Sequence, residues 1–224
     1  MTGIDPMAAL DKLRKDFVSG QIEARGVSDP LVLAAMRAVK RELFVPKTLQ
    51  GEAYKDGPLP IAGGQTISQP YIVAYMVEAL ALRGGEKVLE IGAGSGYAAS
   101  VLAEIAREVF TIERIGPLAK TAAANLAKAG CDNVHVRHAD GTEGWAEEAP
   151  FHAILVSAGA PDIPKSLMHQ LSIRGHMIIP VGDNPRSQEL IRVTRIADHE
   201  FEREDIADVR FVPLIGKEGW ESTD

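Results

Sequence analysis

The fold of this chain is decided by one stretch, Lys87-Val-Leu-Glu-Ile-Gly-Ala-Gly-Ser-Gly-Tyr97. An apolar run ends beside an acidic residue, and three glycines follow at every second position. The apolar-rich segment 98–107 comes next, so the pattern predicts a strand, a tight turn and a helix. Glycine lets a backbone pass close to a ligand, and such a turn is expected to aim amide groups and a helix N-terminus at it.

Short apolar runs and helical segments alternate on both sides of the glycine turn. Runs without polar alternation indicate strands that are buried on both faces. Strands that alternate with helices predict a doubly wound α/β sheet that is mostly parallel. The last two strands have no helix between them, which predicts an antiparallel hairpin at the sheet edge. The predicted strands are 88–91, 109–113, 134–137, 153–157, 175–181, 189–196 and 199–205, with helices over 97–107, 116–129 and 163–170 and a turn at 182–185.

Helical spacing also precedes the first strand, over 7–20, 28–39 and 71–82. Gly20 is the expected end of the first helix, and Ser28 the expected cap of the second, with Asp29 suited to its dipole. The segment 46–67 between them is long for a loop and contains apolar residues, so we expect it to be ordered and functional. We expect one domain, residues 1–224, with a helical addition and substrate loop over 1–82 and a ligand-binding core over 83–224.

The composition is that of an ordinary globular protein: 224 residues, 46% hydrophobic and 25% charged. A net charge of −7 argues against a nucleic-acid partner bound through its phosphates. No apolar run approaches the roughly 20 residues of a membrane span, so no membrane partner is expected. Cys131 is the single cysteine, which excludes an internal disulfide and fits a reducing cytoplasm. We expect a monomer without an export signal, and Met1 and Met7 are both candidate starts.

The first candidate ligand for the glycine turn is a dinucleotide. Its fingerprint requires Gly-x-Gly-x-x-Gly, but Tyr97 stands where the third glycine belongs, which weakens a nicotinamide dehydrogenase. Glu113 ends the second strand and can accept both hydroxyls of a ribose, while Asp140-Gly141 follows the third strand and suits a base edge. Strand ends of a parallel sheet share one edge. The set therefore fits a nucleoside with a compact charged group, such as S-adenosylmethionine, better than a pyrophosphate.

Several stretches resemble the protein-L-isoaspartate O-methyltransferases: Leu59-Pro-Ile-Ala-Gly-Gly-Gln-Thr-Ile-Ser-Gln-Pro70, Val88-Leu-Glu-Ile-Gly-Ala-Gly-Ser-Gly-Tyr97, Val156-Ser-Ala-Gly-Ala-Pro161, Val209-Arg-Phe-Val-Pro-Leu214 and Arg41-Glu-Leu-Phe-Val-Pro46. The resemblance covers about residues 10–216. The run 64–68 is specific to the family, whereas the glycine turn alone is typical of any S-adenosylmethionine methyltransferase. Small departures occur at 157–160, where the family often has Thr-Ala-Ala-Ala, and at 139–140, where Gly-Asp is common.

The resemblance implies a seven-stranded Rossmann-like methyltransferase sheet with helices on both faces. It also implies methyl transfer from S-adenosyl-L-methionine to the α-carboxylate of L-isoaspartyl residues, with isoaspartyl peptides and proteins as partners. The cofactor-binding residues are then expected to be Gly92, Ala93, Gly94, Ser95, Gly96, Glu113, Asp140 and Gly141.

By the same match, Ser68 is expected to orient the reacting carboxylate through a hydrogen bond, with Thr66 as the second catalytic residue and Gln65 as a further choice. The alternative for Ser68 is a helix cap, because Pro70 suits the first turn of a helix. The segment 209–211 is a candidate contact for the substrate peptide, although Val209 and Phe211 also suit packing.

Other chemistries have little support in the sequence. The six histidines show no metal-ligand spacing, no Gly-x-Ser-x-Gly elbow indicates a hydrolase, and Trp145 and Trp220 are expected to pack. Two further functions stay open beside the repair methyltransferase. One is a methyltransferase for another acceptor, and the other is a non-catalytic S-adenosylmethionine-binding module, for which a damaged 65–68 loop would be expected.

Overall fold

The computed structural model describes residues 6–184 and 187–222. Met1, one of the two candidate starts, and Pro185, in the predicted turn over 182–185, lie outside the described residues. In chain order the helices are α1 Pro6–Phe17, α2 Pro30–Ala38, α3 Pro70–Ala79, α4 Tyr97–Ala103, α5 Gly116–Ala129 and α6 Lys165–Gln170. The strands are β1 Leu59–Pro60, β2 Thr66–Ile67, β3 Lys87–Ile91, β4 Glu108–Glu113, β5 Val134–His138, β6 Phe151–Val156, β7 Leu171–Asn184, β8 Ser187–Ala197 and β9 Glu200–Val209.

Seven strands form one sheet in the order β5-β4-β3-β6-β7-β8-β9. The pairs from β5 to β7 are parallel, and β8 and β9 add two antiparallel pairs at the edge. The predicted doubly wound sheet and its edge hairpin are therefore confirmed. The chain order reverses between β3 and β6, and open α/β sheets bind ligands at the strand ends beside such a switch point.

The sheet is buried on both faces, as the unbroken apolar runs predict. One apolar cluster joins helices α1 to α4 to one face of the sheet, and a second cluster packs α6 against the other face. Val88 and Leu89 of β3 are adjacent in sequence, point to opposite faces and are both fully buried. Among the described residues, no helix is long and apolar enough to cross a membrane.

The N-terminal helices differ from the prediction in two details. The first helix does not end at Gly20, because a π-helical turn, Val18–Ile22, and a 3-10 turn carry the chain to Gly26, whose φ is 104°. Val18 and Ile22 are buried, and their packing keeps the backbone helical across the glycine. The cap of α2 is Asp29 rather than Ser28, since the Asp29 carboxylate accepts from the amides of residues 31 and 32 at 2.8 and 3.4 Å.

Some element bounds also differ. Helix α4 ends at Ala103 rather than at residue 107, because the apolar residues Ile105 and Ala106 are buried in a turn instead of a helix. Strand β7 begins at Leu171 rather than 175, with Arg174 at a φ of 66° and a shift in its register with β6. The predicted helix over 71–82 is α3, which ends at Ala79.

Candidate active site

The glycine turn after β3 is folded by positive backbone angles, with φ of 91° at Gly92, 55° at Gly94 and 92° at Gly96. A Cβ at Gly96 would lie 3.0 Å from Leu126 of α5, so this glycine permits close packing of two helices. A Cβ at Gly94 would touch Ile61, which belongs to the 59–67 segment above the turn.

Four amides of this turn are bonded within the protein instead of pointing at a ligand as expected. Gly92 and Ala93 donate to the carbonyl of Ile112 at 2.8 and 3.1 Å, and Gly96 donates to Ala93 at 2.7 Å. Gly94 donates to Oε2 of Glu113 at 2.8 Å. A pyrophosphate is bound mainly by free backbone amides of such a turn. Because these four donors are used inside the protein, the turn is poorly suited to a pyrophosphate or another anion.

Glu113, at the end of β4, is the acid expected to bind a ribose. Its carboxylate is buried and held by two amides, Gly94 on Oε2 and Ile115 on Oε1, each at 2.8 Å. An ionised carboxylate has about four lone-pair positions, so each oxygen keeps a further position for a hydroxyl donor. Glu113 lines a cleft of about 140 Å³ at the strand ends, together with Gly92, Gly94 and Gly141.

Glu90, the last acid of β3, is an acceptor to which the sequence reasoning gave no role. It is fully buried, and Oε2 accepts from the Thr111 hydroxyl at 2.5 Å. Oε1 has no hydrogen-bond partner among the described residues. Burial and, to a smaller extent, the negative charge of Glu113 raise the pKa of Glu90 to about 8, against the opposing effects of the Thr111 hydroxyl and the nearby backbone amide of Ala99.

Glu90 lines a small recess beneath the glycine turn, where the buried hydroxyl of Ser95 is also unpaired among the described residues. Buried polar groups normally find a partner, so unpaired acceptors beside a cleft indicate a ligand with donor groups. An ammonium group supplies three donors and the opposite charge. The residues present therefore fit S-adenosylmethionine, with its amino-acid tail and ribose, better than an anionic ligand. The sequence signal for this part of the site was Glu90 itself, the acidic residue near the end of the apolar run 87–91.

The third strand end, after β5, carries Asp140, whose carboxylate also bonds within the protein. Oδ1 of Asp140 accepts from the amide and hydroxyl of Thr142 at 2.9 and 2.8 Å, and Oδ2 accepts from the amide of Lys217 at 2.8 Å. Asp140 thus anchors the C-terminal segment beside the cleft, while Gly141 lines the cleft itself. A Cβ at Gly141 would lie 2.4 Å from Ile91, so no larger residue fits there without a shift.

The loop over 59–70 forms a small hairpin of β1 and β2 that covers the glycine turn. Helix α3 starts with Gln69 as its N-cap and without a side-chain cap hydrogen bond, so the helix-cap alternative for Ser68 is wrong. Ser68 instead lines a second, larger cleft of about 680 Å³. Its other lining residues come from the segment 58–72, from the turn after β6 and from the segment 208–213: Pro58, Thr66, Gln69, Ile72, Ser157, Asp208, Val209, Arg210, Phe211, Val212 and Pro213.

Thr66 and Ser157 line both clefts, and with Ser68 they also line the recess beside Glu90. The two clefts therefore share Thr66 and Ser157 as border residues, and Ser68 lines the larger cleft and the recess. Ser157 follows β6 next to the switch point, and its amide donates to the carbonyl of Ile91 at 2.8 Å. Ser157 lies in the 156–161 stretch of the family resemblance, but no sequence pattern assigned it to the site. Gln65 lines only the first of the two clefts.

Comparisons with known proteins by family model and by sequence both find the same family. The family model of protein-L-isoaspartate(D-aspartate) O-methyltransferase matches residues 12–219. A Rhodopseudomonas palustris protein-L-isoaspartate O-methyltransferase 1 is 61% identical over 209 residues, which is 93% of this chain and 85% of the relative. A Marinobacter nauticus protein-L-isoaspartate O-methyltransferase 2 is 56% identical over 94% of this chain and 96% of its own.

A solved structure is also similar. It is a Plasmodium falciparum protein-L-isoaspartate O-methyltransferase in complex with S-adenosyl-L-homocysteine. The match has a TM-score of 0.78 at 26% identity and covers 90% of this chain and 98% of that one.

Proposed function

We propose residue roles for methyl transfer in this chain, which belongs to the protein-L-isoaspartate O-methyltransferase family. The chain is a repair enzyme that methylates the α-carboxylate of L-isoaspartyl residues in damaged proteins and uses S-adenosyl-L-methionine. The resulting ester converts without the enzyme to a succinimide, whose hydrolysis gives partly normal aspartyl residues.

One observation carries the assignment of roles: Thr66 and Ser157 border both clefts, and Ser68 borders the larger one. A methyl group must pass from a donor to an acceptor where their sites meet. We therefore place the donor in the cleft lined by Glu113 and the peptide in the cleft lined by Ser68. The intact 65–68 loop favours this function over the non-catalytic binding module.

The chemistry makes few demands on acid–base groups. A carboxylate with a pKa near 4 is already ionised at neutral pH, so no side chain has to remove a proton. Bound S-adenosylmethionine supplies a methyl group that is activated by the sulfonium charge. The task of Ser68, Thr66 and Ser157 is to donate hydrogen bonds that align the acceptor oxygen, and such alignment lowers a barrier by several kcal/mol.

On the donor side the acids have separate tasks. Glu113, which is fixed by two amides, accepts hydrogen bonds from the ribose hydroxyls. Glu90 accepts a hydrogen bond from the ammonium group of the amino-acid tail through its unpaired oxygen. The backbone of residues 92–96 forms the wall between them, and Gly141 leaves room for the base. Asp140 contributes by holding the segment that closes the base end of the cleft.

On the peptide side, the chain 209–211 lines the larger cleft and supplies both apolar and cationic contacts. Arg210 is exposed there, which suits a substrate segment that carries extra carboxylates. We also propose that the enzyme acts as a monomer in the cytoplasm, without nucleic-acid or membrane partners. Its acidic net charge and its one free cysteine support this, and light scattering on a sizing column tests the monomer.

The deciding experiment compares labelled methyl transfer to an isoaspartyl peptide and to its aspartyl counterpart. Labelling of the isoaspartyl peptide alone is expected, whereas equal labelling or none contradicts the function. For the residue roles, Ser68→Ala should lower kcat/KM by about 10-fold or more, the effect of a lost hydrogen bond to a charged group. Thr121→Ala is the matched control, because its exposed hydroxyl bonds only to its own helix. A Ser68→Ala effect within about twofold contradicts the role.

A further inference from the structure

We propose that Arg41 is a positioning residue for methyl transfer, because its guanidinium fixes the main chain that carries Ser68. The inference rests on the roles proposed above for the 65–68 loop. Arg41 lies in a 3-10 turn, Arg41–Phe44, far from either cleft in sequence, and it lines neither of them.

The contacts of the guanidinium all go to main-chain carbonyls of one loop. Nη1 donates to Ala53 at 2.5 Å, and Nη2 donates to Ser68 at 3.0 Å and to Gly57 at 3.5 Å. Ala53 and Ser68 stand at the two ends of the segment that forms the β1–β2 hairpin. A guanidinium holds two NH₂ groups apart in a fixed planar fork, whereas an ammonium has all its donors on one nitrogen, so the guanidinium is better suited to bridge separated carbonyls. Arg41 thus ties both ends of the hairpin to one rigid group.

The setting of this cation is unusual for a purely structural residue. Arg41 is 1% exposed, and none of the ion pairs between described residues includes it. Its Nε has no partner there either. A buried charge without a counter-ion is costly, so its presence indicates a task that an apolar residue cannot perform.

Arg41 also touches the donor side. Its guanidinium lies over the ring of Tyr97, 5.5 Å from the centroid, and Tyr97 begins α4 directly after the glycine turn. The same side chain therefore contacts the loop that positions the acceptor and the helix that follows the donor site. Displacement of this group would move Ser68 relative to the glycine turn.

The test uses Arg41→Gln, with Arg41→Lys as a milder variant that keeps the charge. In Arg41→Gln, kcat for an isoaspartyl peptide should fall about 10- to 100-fold, the scale of an ångström misplacement, while Kd for S-adenosylhomocysteine changes less than about threefold. Arg41→Lys should recover part of kcat. Hydrogen exchange should rise at the amides of residues 54–68 and stay unchanged in the sheet.

Arg195→Gln is the matched control, since the Arg195 guanidinium also donates to several main-chain carbonyls, those of residues 169, 171, 197 and 198, but none of these lies in the β1–β2 hairpin. Equal loss of kcat in this control, or parallel loss of kcat and cofactor affinity in both Arg41 variants, overturns the proposal. Exchange that rises throughout the protein also overturns it, because it indicates general destabilisation.

A double-mutant cycle separates this inference from the proposed function. If Arg41 acts through Ser68, Arg41→Gln should lower kcat much less in a Ser68→Ala background than in the wild type. Additive effects refute that route. A silent Ser68→Ala refutes the role of Ser68 alone, and the kcat and exchange results on the Arg41 variants then decide whether Arg41 positions the loop.

Discussion

Replacement of Glu90 with Gln should remove a pH dependence that the wild-type protein carries in its stability. Glu90 is fully buried, and its pKa is raised from 4.5 to about 8, first by burial and then by the charge of Glu113. Between these two values the unfolded chain has lost a proton that the folded chain keeps. The free energy of unfolding must therefore fall as the pH rises through this window.

The magnitude follows from the same shift. One proton difference corresponds to about 1.4 kcal/mol per pH unit, and the whole shift sets an upper scale of ~5 kcal/mol. Gln keeps the shape of Glu and its acceptor oxygen for the Thr111 hydroxyl, but it does not titrate. Glu90→Gln should thus gain stability relative to the wild type by roughly 1 kcal/mol or more for each unit between about pH 5 and pH 8.

Urea unfolding of both proteins across that range measures the difference directly. Glu104→Gln is the control, because Glu104 is exposed and should leave the wild-type slope unchanged. Parallel slopes for the wild type and Glu90→Gln would refute the reasoning, since they mean that Glu90 is already ionised in the folded protein.

Ligand binding gives a second, independent measurement. An ammonium placed against Oε1 favours the ionised carboxylate, so binding of S-adenosylhomocysteine near pH 7 should release a proton from the wild type. Calorimetry in two buffers with different ionisation enthalpies counts that proton. Wild-type affinity should rise with pH up to about 8, by at most about tenfold per unit. Proton release that is equal in Glu90→Gln would show that another group titrates.

Three further substitutions test other parts of the site. Glu113→Gln should weaken S-adenosylhomocysteine binding by about tenfold or more in a titration, because its amide NH₂ must face one of two backbone donors that now bond a carboxylate. Gly141→Ala should lower the free energy of unfolding by about 1–3 kcal/mol in urea, since the added methyl meets Ile91; unchanged stability would show that β3 yields easily. Asp140→Asn should speed proteolytic cleavage between residues 214 and 220, because the amide of Lys217 loses its charged acceptor; an unchanged rate contradicts the anchoring role.

The sequence was sufficient to predict the architecture, because strands that are buried on both faces of a parallel sheet appear as short apolar runs without polar alternation. Helix α5 has the bounds that its apolar spacing predicts. The ends of α1 and α4 were missed, because an apolar residue buried in a π or 3-10 turn looks the same as one in a helix. Gly20 is a residue type that often ends a helix. Here the packing of Val18 and Ile22 keeps the backbone at Gly20 helical.

The site could be predicted only in part, and the reason is the same at several positions. The glycine spacing indicates a close approach of backbone and ligand, but it does not tell which amides are already bonded, and here Ile112 on the next strand takes two of them. Ser68 has the sequence context of a cap, and only the start of α3 at Pro70 shows otherwise. Ser157 and Arg41 lie in stretches quoted for the family resemblance, but both contact residues that are distant in sequence, so the local pattern gave neither of them a role.

Thr66 and Ser157 belong to both clefts, and this has a use in inhibitor design. Since both clefts border the same two residues, a molecule with one group in each cleft needs only a short linker. A compound that joins an adenosine group to a carboxylate-bearing peptide through a short linker should gain affinity from the high effective concentration of its second half. Its selectivity over other methyltransferases would come from the peptide half, because that half borders the run 64–68, the stretch that resembles this family rather than methyltransferases in general.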